Sequence, residues 1–291
     1  MDEKDLEVLK KLAEMPNITK AAQELFTTQP SLTKRIQRIE AELGCQLFVR
    51  SKKGLLPMPS LENIMPKIGQ ALSVLSEIRD EAAVFSGKIA GTLKIGASIN
   101  FAHYKLPRIL KNYVQKYPQV RISLWVNQSS IIYQCLQKGE LSLAVLRGDY
   151  PWDEGDILFS REPVCLVRNH RSAPLPLNAQ SYIDRKTDPG LEGQFTRWRI
   201  EQGLLNSDLR NHLTVNDIST CLAMVRQDIG WALLPSICLE NFDGIKEPLA
   251  FKDGTLFTRA THLLYRENSA KLPQVRAFIE EIMGDVATPK C

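Results

Sequence analysis

The sequence predicts an α/β protein made of an N-terminal winged helix-turn-helix, a long linking helix and a two-lobed α/β domain. Three observations predict it. Short helical periods followed by a basic hairpin fill residues 1–59. A single apolar seam then runs through residues 61–85 in steps of three and four. Beyond Gly91 the pattern changes to strands alternating with helices, which is how a parallel sheet covered by helices reads.

The first helix is set by Leu6, Leu9 and Ala13, and Pro16-Asn17 interrupts it. A second short helix runs from about Thr19 to Phe26, with Ala21 and Ala22 small enough to let another helix approach. Thr28 is a candidate N-cap for the third helix, and Pro30 falls in its first turn, where a missing N–H costs little. Leu32, Ile36, Ile39 and Leu43 form the apolar stripe of that helix. Ser31, Lys34, Arg35 and Arg38 form a basic stripe on another face, and Gly44 ends it. Leu47-Phe48-Val49 and the basic turn Arg50-Ser51-Lys52-Lys53-Gly54 read as a hairpin. Such a third helix fits the major groove of double-stranded DNA, with the hairpin as a wing. The candidate DNA-binding residues are Thr28, Gln29, Pro30, Ser31, Thr33, Lys34, Arg35, Arg38, Arg50, Lys52 and Lys53. Gln29 and Arg35 carry forked groups that can read base edges, and Lys34 suits a phosphate. Arg50 suits the minor groove, flanked by Lys52 and Lys53 on the backbone. The competing reading is a solvated basic face on a small helical domain.

The seam Leu61, Ile64, Ile68, Ala71, Leu75, Ile78, Ala82 and Phe85 keeps heptad spacing for over three repeats. It predicts a partner helix, most simply the same helix of a second copy, with Ser60 as N-cap and Ser86-Gly87 as the stop. Pro66 either kinks the helix or marks where its regular part begins.

In the remaining chain, Thr92–Ala97, Val120–Val126 and Leu143–Leu146 read as strands separated by helices around Leu106–Tyr117 and Ile131–Leu136. A second such unit follows. Its strands lie at Val164–Val167, Ser181–Ile183, Leu213–Val215 and Gly230–Pro235, with helices near Phe195–Gly203 and Ile218–Val225. A late strand at Leu263–Tyr265 and a helix at Pro273–Met283 close the chain. Two such units leave a cleft, and ligands of open α/β sheets sit at the carboxyl ends of strands. Four segments qualify: 98–101, 127–130, 186–188 and 216–219. The candidate effector-binding residues are Ser98, Ile99, Asn100, Phe101, Gln128, Ser129, Arg147, Thr187, Asn216, Asp217 and Ile218. An organic anion held by helix dipoles is one chemistry for this site, with Arg147 as counter-charge and Asp188 and Asp217 arguing against it. Ser, Asn, Asp and Thr at these places serve equally as helix caps.

Several segments resemble the N-terminal signature of LysR-type transcriptional regulators. They are Asn17-Ile-Thr-Lys-Ala-Ala-x-x-Leu25, Gln29-Pro-Ser-Leu-Thr33, Ile36-x-x-Ile-Glu40, Leu43-Gly44 and Leu47-Phe-x-Arg50. Where that family usually has Leu-Thr-x-x-Gly after the wing, this chain has Pro57-Met58-Pro59-Ser60-Leu61. Gly91-Thr-Leu-Lys-Ile-Gly96, Gly139-Glu-Leu-x-Leu-Ala144 and Ile229-Gly-Trp-Ala-Leu-Leu-Pro235 resemble the family's effector domain, itself similar to periplasmic solute-binding proteins. The resemblance implies a DNA-binding domain over 1–59, a dimerising linker helix over 60–88 and an effector domain over 89–291. Lobe I would take about 89–161 with 265–291, and lobe II 162–264. It also implies a homodimer through the linker helix, assembling into a tetramer, and a regulator controlled by a small-molecule effector.

The six cysteines show no metal-ligand spacing and no disulfide framework, so free thiols in a cytoplasmic protein are expected. No secretory signal or membrane span is read, and no cofactor, metal or catalytic residue is assigned. An enzyme or a solute-binding module with an appended helix-turn-helix is the alternative function. The formal net charge of +4 is equalled by the segment from Thr28 to Leu56 alone, where Lys34, Arg35, Arg38, Arg50, Lys52 and Lys53 face Glu40 and Glu42.

Overall fold

The structure is a computed structural model and describes residues 1–51, 54–84, 89–204 and 211–286. Helices α1 (Glu3–Glu14), α2 (Ile18–Glu24) and α3 (Gln29–Leu43) lead into a hairpin of β1 (Phe48–Ser51) and β2 (Gly54–Pro57). Each helix begins at a residue whose side chain replaces a missing backbone acceptor. Asp2 caps α1 in a capping box with Asp5, Asn17 accepts from the N–H of Lys20, and Thr28 accepts from the N–H of Ser31. Gly44 closes α3 at φ +67°, a left-handed conformation that glycine adopts without a Cβ penalty.

The α3 stripe behaves as its spacing predicts for Leu32, Ile36 and Ile39. They are buried with Leu6, Leu9 and Leu12 of α1 and Ala21 and Ala22 of α2. Each such aliphatic side chain contributes about 1.5–3 kcal/mol. Leu43, one turn further on, is exposed. The wing is tied to this core at two points. The Glu40 carboxylate accepts from the N–H groups of Leu47 and Phe48 at 2.8 and 3.1 Å, and the Leu55 N–H donates to the Pro16 carbonyl at 3.0 Å.

The linking helix α4 (Pro59–Val84) runs through Pro66. It starts at Pro59, whose ring suits a first helical position, so Ser60 is not its N-cap. The Ser60 hydroxyl donates instead to the Gln46 carbonyl. The apolar seam has two fates. Leu61 and Ile68 are buried in the winged domain's own core, with Ile64 and Leu72 packed against it. Further along, Val74 and Ile78 are more than half exposed. The expectation of one continuous seam facing a partner is therefore not met in the first half of the helix, which packs against the winged domain of its own chain. Phe85, Ser86 and Gly87 lie outside the described residues.

Strands β3 (Gly91–Ser98), β4 (Val120–Asn127) and β5 (Leu143–Arg147) are parallel, with β3 between the other two. Helices α5 (Ile99–Tyr104), α6 (Leu106–Lys116) and α7 (Ser129–Gln137) connect them. The 14-residue β6 (Gly155–Arg168) then crosses between lobes. Its first half pairs antiparallel with β11 (Thr258–Tyr265), and its second half with β9 (Ala232–Pro235) and β10 (Ile245–Pro248). Lobe II also holds β7 (Ser181–Arg185), α8 (Pro189–Glu201), β8 (Asn211–Val215) and α9 (Ile218–Arg226), with β7 and β8 parallel. The chain then closes lobe I with α10 (Glu267–Ala270) and α11 (Pro273–Val286).

Two boundaries differ from expectation. Strand β11 pairs with β5 from Thr261 onward, so the chain is back in lobe I by Thr261 rather than at residue 265. Helix α8 begins at Pro189, six residues before Phe195, because Asp188 caps it and proline is tolerated at its start.

The lobes share a floor. Val167, Ile183, Ile218, Cys221 and Leu234 belong to the same buried cluster as Leu93, Phe101, Val145 and Phe278. The register of β7 against the approach to β9 depends on Gly230. A Cβ there would lie 2.1 Å from the Ser181 carbonyl oxygen, which accepts from the Trp231 N–H at 3.0 Å.

Candidate functional site

Two surfaces carry the candidate residues. The first is the exposed side of α3. Thr28, Gln29, Pro30, Ser31, Lys34 and Arg38 are exposed, and Thr33 is half-buried. The N-terminal turn of α3 thus presents an amide and hydroxyls, with the Lys34 ammonium group about one turn further on. Arg50 lies on β1, and Lys52 and Lys53 lie outside the described residues.

Arg35, expected to read base edges, is held by acids of its own chain. Its Nε donates to Asp5 Oδ1 at 2.5 Å and its Nη2 to Asp2 at 2.8 and 3.1 Å. Arg38 Nη2 donates to the same Asp5 oxygen at 2.5 Å. The Asp5 side chain is fully buried and holds both guanidinium groups. Burial pushes its carboxyl up, but the backbone hydrogen bond in the capping box and the two arginines outweigh that and hold it below the usual carboxylate range. The acidic start of α1 therefore pairs with two of the three basic residues of the α3 stripe. The sequence signal was present: Asp2 and Asp5 sit three apart on the helix that must pack against α3.

The second surface is the cleft, a cavity of about 140 Å³. All four predicted segments converge on it. Ser98, Ile99 and Asn100 enter from the end of β3, Gln128 and Ser129 from β4, Arg147 from β5, Thr187 from β7, and Asn216, Asp217 and Ile218 from β8. Phe101 is the exception. It is fully buried and packs edge-on against Phe159 at 5.2 Å, so it belongs to the shared floor. A residue at the third position of α5 points away from the helix start, into the core.

Sequence reasoning missed Tyr150, Arg185, Leu191, Pro235 and Arg259 on the cleft wall. Arg185 ends β7 as Arg147 ends β5, so the signal that found one would have found the other. Arg259 lies at the start of β11, an antiparallel strand to which the carboxyl-end rule does not apply.

The two acids that argued against an anion are both engaged. Asp188 caps α8 through the N–H of Leu191 at 3.0 Å and accepts from Arg259 Nη2 at 2.5 Å. Burial raises its carboxyl, but Arg259 and the cap hold it below the ordinary range. Asp217 caps α9 through the N–H of Thr220 at 2.8 Å. The basic groups are less well matched. Arg147 is 2% exposed, and its Nη2 lies 3.0 Å from Glu162 Oε1 without hydrogen-bond geometry. Its three side-chain nitrogens have no hydrogen-bond acceptor among the described residues, nor has Arg185 Nε or the buried hydroxyl of Ser98. Burial brings Arg147 down to about 10, opposed by Glu162 and reinforced by Arg259 and Arg185. Burial likewise lowers Arg185.

Comparison with known proteins agrees with this two-part arrangement. Residues 4–59 match the model of the bacterial regulatory helix-turn-helix protein, lysR family, and residues 86–286 match the LysR substrate binding domain. The chain is 32% identical over 285 residues to the HTH-type transcriptional regulator YkuM of Bacillus subtilis (strain 168), covering 97% of each chain. It is 30% identical over 290 residues to YraN of the same organism, covering 98% of each. The fold also resembles full-length CbnR in complex with its target DNA, with a TM-score of 0.67, 17% identity, and coverage of 98% of this chain and 99% of that one. Matched at both ends by family models that together span nearly its whole length, the chain belongs to the LysR family of transcription regulators.

Proposed function

We propose that this regulator reads a specific DNA sequence through the N-terminal turn of α3 and the wing, under the control of a small effector in the cleft. One observation carries the reading: a single chain joins an exposed, helix-capped polar and basic face to a cavity whose walls hold buried polar atoms without a hydrogen-bond partner among the described residues. Gln29 and Thr33 are the base readers in this scheme, and Lys34 is the phosphate contact. Arg35 and Arg38 act mainly by fixing α3 on α1. Arg50, with Lys52 and Lys53, serves the wing. The cleft works as a sensor and catalyses nothing, and the protein acts in the cytoplasm where its DNA is.

The second half of α4 pairs two copies. Val74 and Ile78 expose apolar surface on a helix whose first half is already anchored in the winged domain. Pairing there sets the spacing of two α3 helices on a site with approximate two-fold symmetry. Effector binding favours one arrangement of the lobes over another and so shifts that spacing.

Selection of bound DNA from a random library with the purified full-length chain tests the reading. The expected result is a two-fold-related motif protected as two half-sites. Recovery of no preferred sequence would refute it. Replacing Val74 and Ile78 together by Asp should give a monomer by light scattering, and an unchanged mass would remove α4 as the pairing element.

A further inference from the structure

Resting on the reading of the cleft as an effector site, we propose that the effector is a small 2-hydroxy or 2-oxo monocarboxylic acid without an amino group. Its carboxylate would sit between Arg147 and Arg185, and its second oxygen beside the hydroxyl of Ser98.

Charge comes first. Arg147 closes β5 in lobe I, Arg185 closes β7 in lobe II, and both line the same cavity. Each carries side-chain N–H groups that are buried without an acceptor among the described residues. Leaving such donors unmet costs more than an ordinary hydrogen bond returns, so the site favours a ligand that supplies acceptors. Arg259 and Lys186 add positive charge to the wall, and Asp188 and Asp217 subtract from it. Glu162 faces Arg147 from below. Counting Arg147, Arg185, Lys186 and Arg259 against Asp188, Asp217 and Glu162, the site is one positive charge in excess. One carboxylate balances it.

The same accounting excludes an amine. Asp188 is held by Arg259 and by the first turn of α8, and Asp217 by the first turn of α9. Neither is free to receive an ammonium group beside two guanidinium groups. An amino acid would bring its own cation into an already cationic site.

Size and the remaining polar atom narrow the class. A cavity near 140 Å³ is close to the ~150 Å³ engineered cavity that accommodates benzene, a molecule of about six heavy atoms. Ser98 is 5% exposed and lines the cavity, and its Oγ has no hydrogen-bond partner among the described residues although it precedes α5 as N-cap. It can donate to a carbonyl or accept from a hydroxyl, so it suits an oxygen next to the carboxylate. A carboxylate shared by Arg147 and Arg185 would tie lobe I to lobe II and relieve the repulsion between the two guanidinium groups. Binding and lobe closure then become one event.

Isothermal titration of the full-length chain tests this with five probes: the two 2-oxygenated acids lactate and 2-oxobutyrate, then propionate, lactamide and alanine, with sulfate as the inorganic control. The two acids should bind, and lactamide, alanine and sulfate should bind at least tenfold more weakly. Arg185→Met should weaken the acids about tenfold, the loss expected for a charge-assisted hydrogen bond. Ser98→Ala should weaken lactate several-fold and leave propionate unchanged. Arg147→Met alone strands Glu162, so Arg147→Met is combined with Glu162→Gln, which should abolish binding while the thermal transition is kept.

Equal binding of lactamide, or preference for alanine or sulfate, overturns the proposal. So does an absence of binding by both acids in a chain that still selects a defined DNA sequence, and in that case the regulator reading stands. Loss of DNA selectivity in the unliganded and liganded chain alike would instead count against that reading.

Discussion

Two arginine clusters, one in the winged domain and one in the cleft, use the same chemistry to opposite effect. In the winged domain Arg35 and Arg38 meet Asp2 and Asp5 with hydrogen bonds of 2.5–3.1 Å, and the buried acid has an arginine on either side. In the cleft Arg147 is buried as deeply as Asp5, yet it faces a single carboxylate at 3.0 Å and keeps three nitrogens without acceptors. The first cluster is closed and fixes the relation of α1 to α3. The second is open and leaves work for something that is not part of the chain. Full satisfaction of a buried charge marks architecture, and incomplete satisfaction marks a site.

The largest effect should come from opening the closed cluster. Asp5→Ala removes the capping-box partner of α1, takes away the acid that Arg38 meets and leaves Arg35 with Asp2 alone. It should cost about 2–4 kcal/mol, somewhat below the ~3–5 kcal/mol for breaking a fully buried pair because both arginines reach solvent, and denaturant unfolding of the full chain reads it directly. The same carboxyl predicts an acid response. Its folded value lies below the unfolded one, so its contribution is complete at neutral pH and above. That contribution is lost as pH falls through the unfolded value near 4 and on through the lowered folded value. The transition followed from pH 7 to pH 3 should therefore move down more steeply in the natural chain than in Asp5→Ala.

Opening the other cluster should cost less. Arg147→Met leaves Glu162 half-buried with its ion-pair partner gone, and about 1–3 kcal/mol of stability should be lost. Adding Glu162→Gln should restore most of it, because replacing a whole buried pair is often close to neutral. The two clusters separate here. A neutralised double variant at Asp5 and Arg35 would still lack the helix cap, whereas the cleft variant would regain stability and lose only its ligand. Failure of Glu162→Gln to rescue would make Arg147 as architectural as Arg35 and dissolve the contrast.

Much of this was legible in the sequence, and the parts that were not have physical reasons. Helix α3 could be read because Leu32, Ile36 and Ile39 repeat at helical spacing and bury one face. The cleft could be read because parallel strands deliver their loops to one edge, so Ser98, Ser129, Arg147 and Asn216 meet without any local signal joining them. The first half of β6 was missed. There Asp156, Arg161 and Glu162 interrupt the apolar residues, and Pro163 reads as a break although the strand runs through it. Helix α5 is six residues long, too short for a period to show. The pairing of Arg35 with Asp5 and Asp2 was not read, because those partners lie 30 and 33 residues away. A stripe of basic residues shows that a face is charged, but only the fold shows which of those charges are already spent. The same applies to the linker seam, whose first half was indistinguishable in spacing from its second until Leu61 and Ile68 were seen in the winged core.

The smallest expected effect is the sharpest test of the contrast within α3 itself. Lys34 and Arg35 are neighbours in sequence, and both belong to the basic stripe. Lys34 is exposed, whereas Arg35 is held by Asp2 and Asp5. If Lys34 neutralises a phosphate, Lys34→Ala should weaken binding to every DNA by a similar factor and reduce the slope of log affinity against log salt by about 0.9. Arg35→Ala should leave that slope within error of the natural chain, because its charge is already balanced inside the protein. Its affinity loss should follow the loss of thermal stability and vanish on cooling well below the transition. Fluorescence anisotropy at four salt concentrations, on the selected site and on an unrelated duplex, distinguishes the two. A slope that falls by the same amount in both variants would mean that DNA draws Arg35 away from Asp2 and Asp5. The closed cluster would then be a latch that opens on binding, and the acid response predicted for Asp5 should weaken when DNA is present.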